Sequence, residues 1–268
     1  MNVKLNTKAM AIISESFKLT RGLKWPIFKR NILITILSGL IILVQFSVLL
    51  RLLDVSYSPT SSYLNIALFY TLTLITVIMI FKLYIPIFLM GVNQALGLPV
   101  DINLIKYECS AVKKELFKLV IFYGFLAVTY AFFFIYLNTL IIYNILHLVF
   151  GLIFTFIFTP ICLLSIPLIT KEKKVFHVAI NSSYESFFLN WIPILGSYII
   201  FTTISTIIFI TLTVGKLWLI HHIPNNTLVL LPLINIIPFI WLLPMLVTIG
   251  GVVYRDIFSL KNHAKKPN

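Results

Sequence analysis

The chain has 268 residues, of which 60% are apolar and only 11% charged, against roughly 25% charged in soluble domains. It carries a formal net charge of +13, but the basic residues flank long apolar runs, so a membrane surface explains them better than nucleic acid does. The runs are continuous rather than alternating, which excludes a β-barrel pattern. Several of them reach the roughly 20 residues that cross a bilayer as helix.

In chain order, residues 1–31 are basic, and Ala9, Ile12, Ile13, Ser16 and Phe17 form an apolar helical face opposite Lys8, Glu15 and Lys18. This predicts a helix lying in the membrane interface. A first span over 32–50 follows, then a turn-rich loop over 51–62 and a second span over 63–89 that holds Lys82 and Pro86. Gly91 to Pro99 reads as a turn region, with Asp101 as the N-cap of a second interfacial helix over 102–116. Its apolar face is Ile102, Ile105, Cys109, Val112 and Leu116.

The third and fourth spans, 117–137 and 140–170, are separated only by Asn138 and Thr139 and so form a tight hairpin. A third interfacial helix is predicted over 174–188, with Phe176, Ile180, Tyr184 and Phe187 on its apolar face. Lys174, His177, Asn181 and Glu185 line the other face. The fifth span is 192–214, residues 215–226 form a loop, and the sixth span is 227–254, with Pro232, Pro238 and Pro244. Prolines persist inside spans where neighbouring helices, side chains or water satisfy the freed carbonyls.

The expected fold is therefore all-α and integral to the membrane. It is one polytopic domain over 1–268, with six transmembrane helices and three cytoplasmic amphipathic helices. Of the 21 Lys and Arg residues, Lys82 lies in a span and only Arg51 and Lys216 fall on one side. The other 18 gather in or beside the termini and the two long loops, so the positive-inside rule places both termini in the cytoplasm. The first apolar run is too long for a signal peptide's core. Cys109 and Cys162 make no disulfide framework.

A threefold parallel repeat is also visible: each third reads interfacial helix, outward span, return span. The return spans share a proline in Pro86-Ile87-Phe88, Pro160-Ile161-Cys162 and Pro244-Met245-Leu246. Any six-span chain with basic cytoplasmic loops shows the same layout, so both readings stand. Mitochondrial carriers have a charged residue two positions after each such proline; here those residues are Phe88, Cys162 and Leu246.

The stretch Thr159 to Leu195 and the closing run Pro244 to Ile257 resemble two passages of YciC-like bacterial inner-membrane proteins. They are also similar to the membrane domain attached to some glycerophosphodiester phosphodiesterases. The likeness rests on Ala179, Ser183, Asn190 and Trp191 and on Tyr254-Arg255-Asp256. It implies a multi-pass protein of the bacterial inner membrane, and it carries no chemistry with it.

Catalysis needs paired carboxylates, a metal constellation or an activated nucleophile. The eight acidic residues all fall in loops or interfacial helices, and the five histidines are scattered. The chain is accordingly expected to be no enzyme, with no cofactor and no metal. A scaffold, assembly or envelope-maintenance role is the leading expectation. The alternative is a transporter or flippase-like conduit for an amphiphilic anionic molecule. The expected partners are the bilayer and anionic lipid headgroups. The candidate ligand-binding residues are Lys82, as the charge within a span, and Asn235 as its neighbour. Lys82 either snorkels toward the cytoplasm or meets an anionic group in the bundle.

Overall fold

A computed structural model describes residues 8–29, 32, 59–136, 149–222 and 236–259, and among these every regular element is helical. The first span, 32–50, lies outside the described residues except for its first position. So do residues 51–58, residues 137–148 with the predicted hairpin turn at Asn138 and Thr139, residues 223–235 and those beyond 259.

Helix α1 (Ala9–Leu19) ends at a turn where Gly22 takes φ +87°, and the chain is helical again over 24–29. Helix α2 (Pro59–Ala95) is longer at both ends than the predicted span. It closes in a Schellman motif: Gly97 at φ +68° donates to Gln94 O (3.2 Å), and Leu98 N–H donates to Asn93 O (2.8 Å). The predicted helix 102–116 is instead two elements, α3 (Ile102–Ala111) and the start of α4 (Lys113–Tyr136), broken at Val112. The chain thus passes from surface helix to long helix within one residue.

Helix α5 (Val149–Thr170) opens out into a π turn over Phe154–Phe158. Pro160 has no N–H for the Phe156 carbonyl four residues back, and just before it Thr159 Oγ1 and the Thr159 N–H both bond Phe154 O, the hydroxyl at 3.0 Å. Helix α6 (Phe176–Leu189) follows, then α7 (Trp191–His222). The predicted loop beginning at Gly215 is helical as far as His222. Helix α8 (Ile236–Tyr254) finishes in a π turn over Arg255–Ser259. Among the described residues, Tyr70–Ala95, Val149–Thr170 and Trp191–Leu212 are long and apolar enough to cross a membrane.

Two compact units are present, one of residues 1–30, 87–102 and 185–268, the other of residues 31–86 and 103–184. In the first, α1 packs on α7 and α8. The last turns of α2 meet α8 with almost no side chain between them. A Cβ on Gly91 would stand 2.5 Å from Val247 O, and one on Gly251 the same distance from Gly91 O. Small residues of this kind let helices approach where surrounding lipid removes any hydrophobic reward for association.

In the second unit, α4 crosses α2 where Gly124 faces Leu74 and Ile78. Phe81 stacks on Tyr123 at 4.4 Å, and the Tyr123 hydroxyl lies 3.3 Å from Thr159 Oγ1 on α5. Ser165 of α5 and Ser183 of α6 are both fully buried and share a hydrogen bond of 2.9 Å.

The buried face of α6 departs from the sequence reading. Ala179, Ser183, Ser186, Phe187 and Asn190 are buried, whereas Tyr184 is 54% exposed and Val178, Phe188 and Leu189 also face outward. Of the predicted apolar face, Phe187 is buried, Phe176 and Ile180 are half-buried and Tyr184 is exposed, while the small residues Ala179 and Ser183 allow the close approach. The predicted polar residues His177, Asn181 and Glu185 are exposed, as expected.

Candidate functional site

The described acidic side chains tie elements together rather than meeting in a cluster. On α1, Glu15 receives both Nη groups of Arg255, with the Nη2–Oε2 contact at 3.0 Å. Arg255 also donates Nε to Asp256 Oδ1 at 2.9 Å and Nη2 to the same oxygen at 2.7 Å. Hydrogen bonding from the guanidinium holds the Glu15 carboxyl below its ordinary value, against an opposing effect of burial. The same partners raise Arg255 still further above its already basic range.

In the second unit, Lys171 Nζ grips both oxygens of Glu108, at 2.7 and 2.6 Å. Glu115 accepts the Phe176 backbone N–H at 2.9 Å and Lys118 Nζ at 2.7 Å. The N-terminus of α6 is therefore capped by a carboxylate 61 positions away in sequence. The Lys118 bond is the larger cause of a lowered Glu115 pKa, and the Phe176 N–H adds to it. Among the described residues no group of three His, Cys, Asp or Glu side chains is placed to hold a metal.

The first unit holds a groove of about 490 Å³ between α1, α7 and α8. One wall is α1, with Met10, Ile13, Ser14, Phe17 and Lys18, followed by Thr20. The other walls are Ile204 and Ile208 of α7 and Leu242 and Met245 of α8. Its polar groups, Ser14, Lys18 and Thr20, all belong to the α1 wall, and α7 and α8 contribute only hydrocarbon. The volume lies within the roughly 300–1,000 Å³ usual for small-ligand sites.

The two residues singled out from the sequence are not in this groove. Lys82 is exposed on α2, between the buried side chains of Phe81 and Ile85. Asn235 lies outside the described residues, and with it the pairing of the two. The groove itself was only half legible. The α1 face had been read as Ala9, Ile12, Ile13, Ser16 and Phe17. Ile12, Ile13 and Ser16 are buried, whereas Phe17 is 56% exposed and lines the groove. Its missing walls come from α7 and α8, about 200 positions later, and no local pattern announces that contact. The signal for the α2–α8 crossing was present in Gly250-Gly251, a small pair inside an apolar run.

No protein-family model matches the chain, and neither a curated protein nor a solved structure matches it.

Proposed function

We propose that this chain is a six-span bacterial inner-membrane protein with both termini cytoplasmic, acting without catalysis as a scaffold or envelope-maintenance factor of the YciC-like kind. The observation that carries the reading is the locked first unit. Backbone contacts through Gly91 and Gly251 fix α2 against α8, and the bidentate Glu15–Arg255 pair ties α1 to the end of α8, while a groove stays open at the surface. A rigid frame with an accessible recess suits holding something in place.

Topology is tested by single-cysteine labelling in a Cys109→Ala, Cys162→Ala background. Ser58→Cys, Asn138→Cys and Asn225→Cys should react with an impermeant maleimide in spheroplasts with intact inner membranes. Reaction only after the inner membrane is permeabilised would invert the orientation. The role is tested in proteoliposomes containing a fluorescent anionic lipid. A scaffold leaves its transbilayer exchange at the protein-free rate, whereas accelerated exchange would replace the scaffold by the conduit.

A further inference from the structure

The groove between α1, α7 and α8 is polar on one wall and apolar on the others. Its cation, Lys18, sits on α1, the helix whose sequence places it at the cytoplasmic surface. Ile204 and Ile208 lie thirteen and seventeen residues into α7, and Leu242 lies twelve residues before the end of α8. At 1.5 Å per residue these positions are about 18–26 Å along their helices, the scale of a hydrocarbon core about 30 Å thick. The groove thus carries its cation on α1 and is apolar along α7 and α8.

Lys18 is exposed, and among the described residues it makes no hydrogen bond or ion pair. Its anionic neighbour one turn back, Glu15, is already engaged through both oxygens by Arg255. Lys18 is thus the cation at the groove that no carboxylate holds by a hydrogen bond. Ser14 and Thr20 add hydroxyls on the same wall, although Thr20 Oγ1 already donates to Phe17 O at 2.7 Å.

We propose that this groove holds one anionic phospholipid, with an acyl chain against Ile204, Ile208 and Leu242 and its phosphate at Lys18. One wall with a single cation facing walls of hydrocarbon suits this occupant. A peptide helix would have no use for a single cation above hydrocarbon, and a free phosphate would leave the apolar walls unfilled. The proposal goes beyond the scaffold reading and does not depend on it.

The test uses the full-length chain with a benzoylphenylalanine at position 204, in vesicles of equal phosphatidylglycerol and phosphatidylcholine. After irradiation, intact mass should show an adduct of one phospholipid, with phosphatidylglycerol in excess. Lys18→Gln should lower the glycerol-to-choline adduct ratio about fivefold, the scale of one interfacial cation's attraction. Lys114→Gln, an exposed lysine of the second unit, should leave the ratio unchanged. A cross-link to a second copy, to another segment of the chain or to detergent alone would overturn the proposal. So would a ratio that Lys18→Gln does not move. Lipid exchange plays no part in this readout, so failure here leaves the scaffold reading untouched, and the reverse holds too.

Discussion

Gly251 of α8 rests against Gly91 of α2 so closely that the Gly91 backbone occupies the space a side chain on Gly251 would need: a Cβ there would lie 2.5 Å from Gly91 O. That carbonyl cannot move without shifting a helix. Gly251→Ala should therefore cost stability at or above the roughly 1–3 kcal/mol of an overpacked core. Gly250→Ala should cost less: its Cβ would meet the Phe88 ring at 2.4 Å, and a ring can turn where a backbone cannot. Thermal unfolding of the two variants in detergent checks the order. Equal midpoints would show that the crossing is not the close backbone contact described.

Ser16 offers a prediction of opposite sign. Its hydroxyl is buried without a hydrogen-bond partner, while its carbonyl accepts Thr248 Oγ1 at 3.2 Å. Ser16→Ala removes only the unpaired group, and leaving a buried donor unsatisfied costs about 1–3 kcal/mol. The variant should be as stable as the parent or more so. A lower unfolding midpoint would reveal a partner for the hydroxyl.

The ion pair between Glu15 and Arg255 gives a pH dependence whose direction follows from its cause. The folded-state pKa of Glu15 is lowered, chiefly by the Arg255 hydrogen bonds. Its contribution is thus complete above the unfolded value, 4.5, and is lost as pH falls through the depressed folded value. Both side chains are partly exposed, so the pair is worth only about 1 kcal/mol or less. Glu15→Gln should flatten the acid limb of the stability profile below pH 4.5. Arg255→Lys should lower stability at neutral pH as well, since an ammonium cannot reproduce the two-pronged contact. A parent-like acid limb in Glu15→Gln would assign the acid sensitivity elsewhere.

What the sequence made legible was mostly set by transfer energetics. Continuous apolar runs marked the helices Tyr70–Ala95, Val149–Thr170 and Trp191–Leu212, and the exposure of His177, Asn181 and Glu185 followed from helical period. What it obscured was packing. The inward face of α6 carries Ala179 and Ser183, which a hydrophobicity pattern ranks below Tyr184, yet Tyr184 points outward. The break at Val112 was missed because residues with good helix propensity continue through it, and the extension of α7 to His222 because Gly215 and Lys216 read as the end of an apolar span. The groove was missed because its walls are distant in sequence.

The α5–α6 contact follows from those small residues. Ser165 Oγ also bonds Ile161 O at 2.8 Å, so it keeps a partner when Ser183 is removed. Ser183→Ala should cost only about 0.6 kcal/mol, the average for hydrogen bonds between membrane helices. Ala179→Leu must force a large side chain into a fully buried site and should cost about 1–3 kcal/mol or more. If Ser183→Ala proved the worse of the two in detergent unfolding, the hydroxyls rather than the close approach would hold α6 in place.

Lys82 remains the charge set within a span. A lysine at the centre of a transmembrane helix costs about 2.5–3.5 kcal/mol, and each Leu, Ile, Phe or Val returns about 0.3–0.6. Ile75, Val77, Ile78, Ile80, Phe81, Leu83, Ile85, Ile87, Phe88 and Leu89 around it return about 3–6 kcal/mol together and so suffice for insertion. Its side chain is exposed while Phe81 and Ile85 turn inward, so the ammonium can run along the helix surface toward water. Ala95 is thirteen residues on, about 20 Å by helical rise, farther than the side chain alone extends. Pro86 shortens the requirement: it has no N–H, so the Lys82 carbonyl lacks its helical donor and gives water or an ammonium a polar foothold. Lys82→Met should accordingly insert as well as the parent or better, and should restore a deletion strain fully. Normal insertion with failed complementation would instead assign Lys82 a contact with an anionic group.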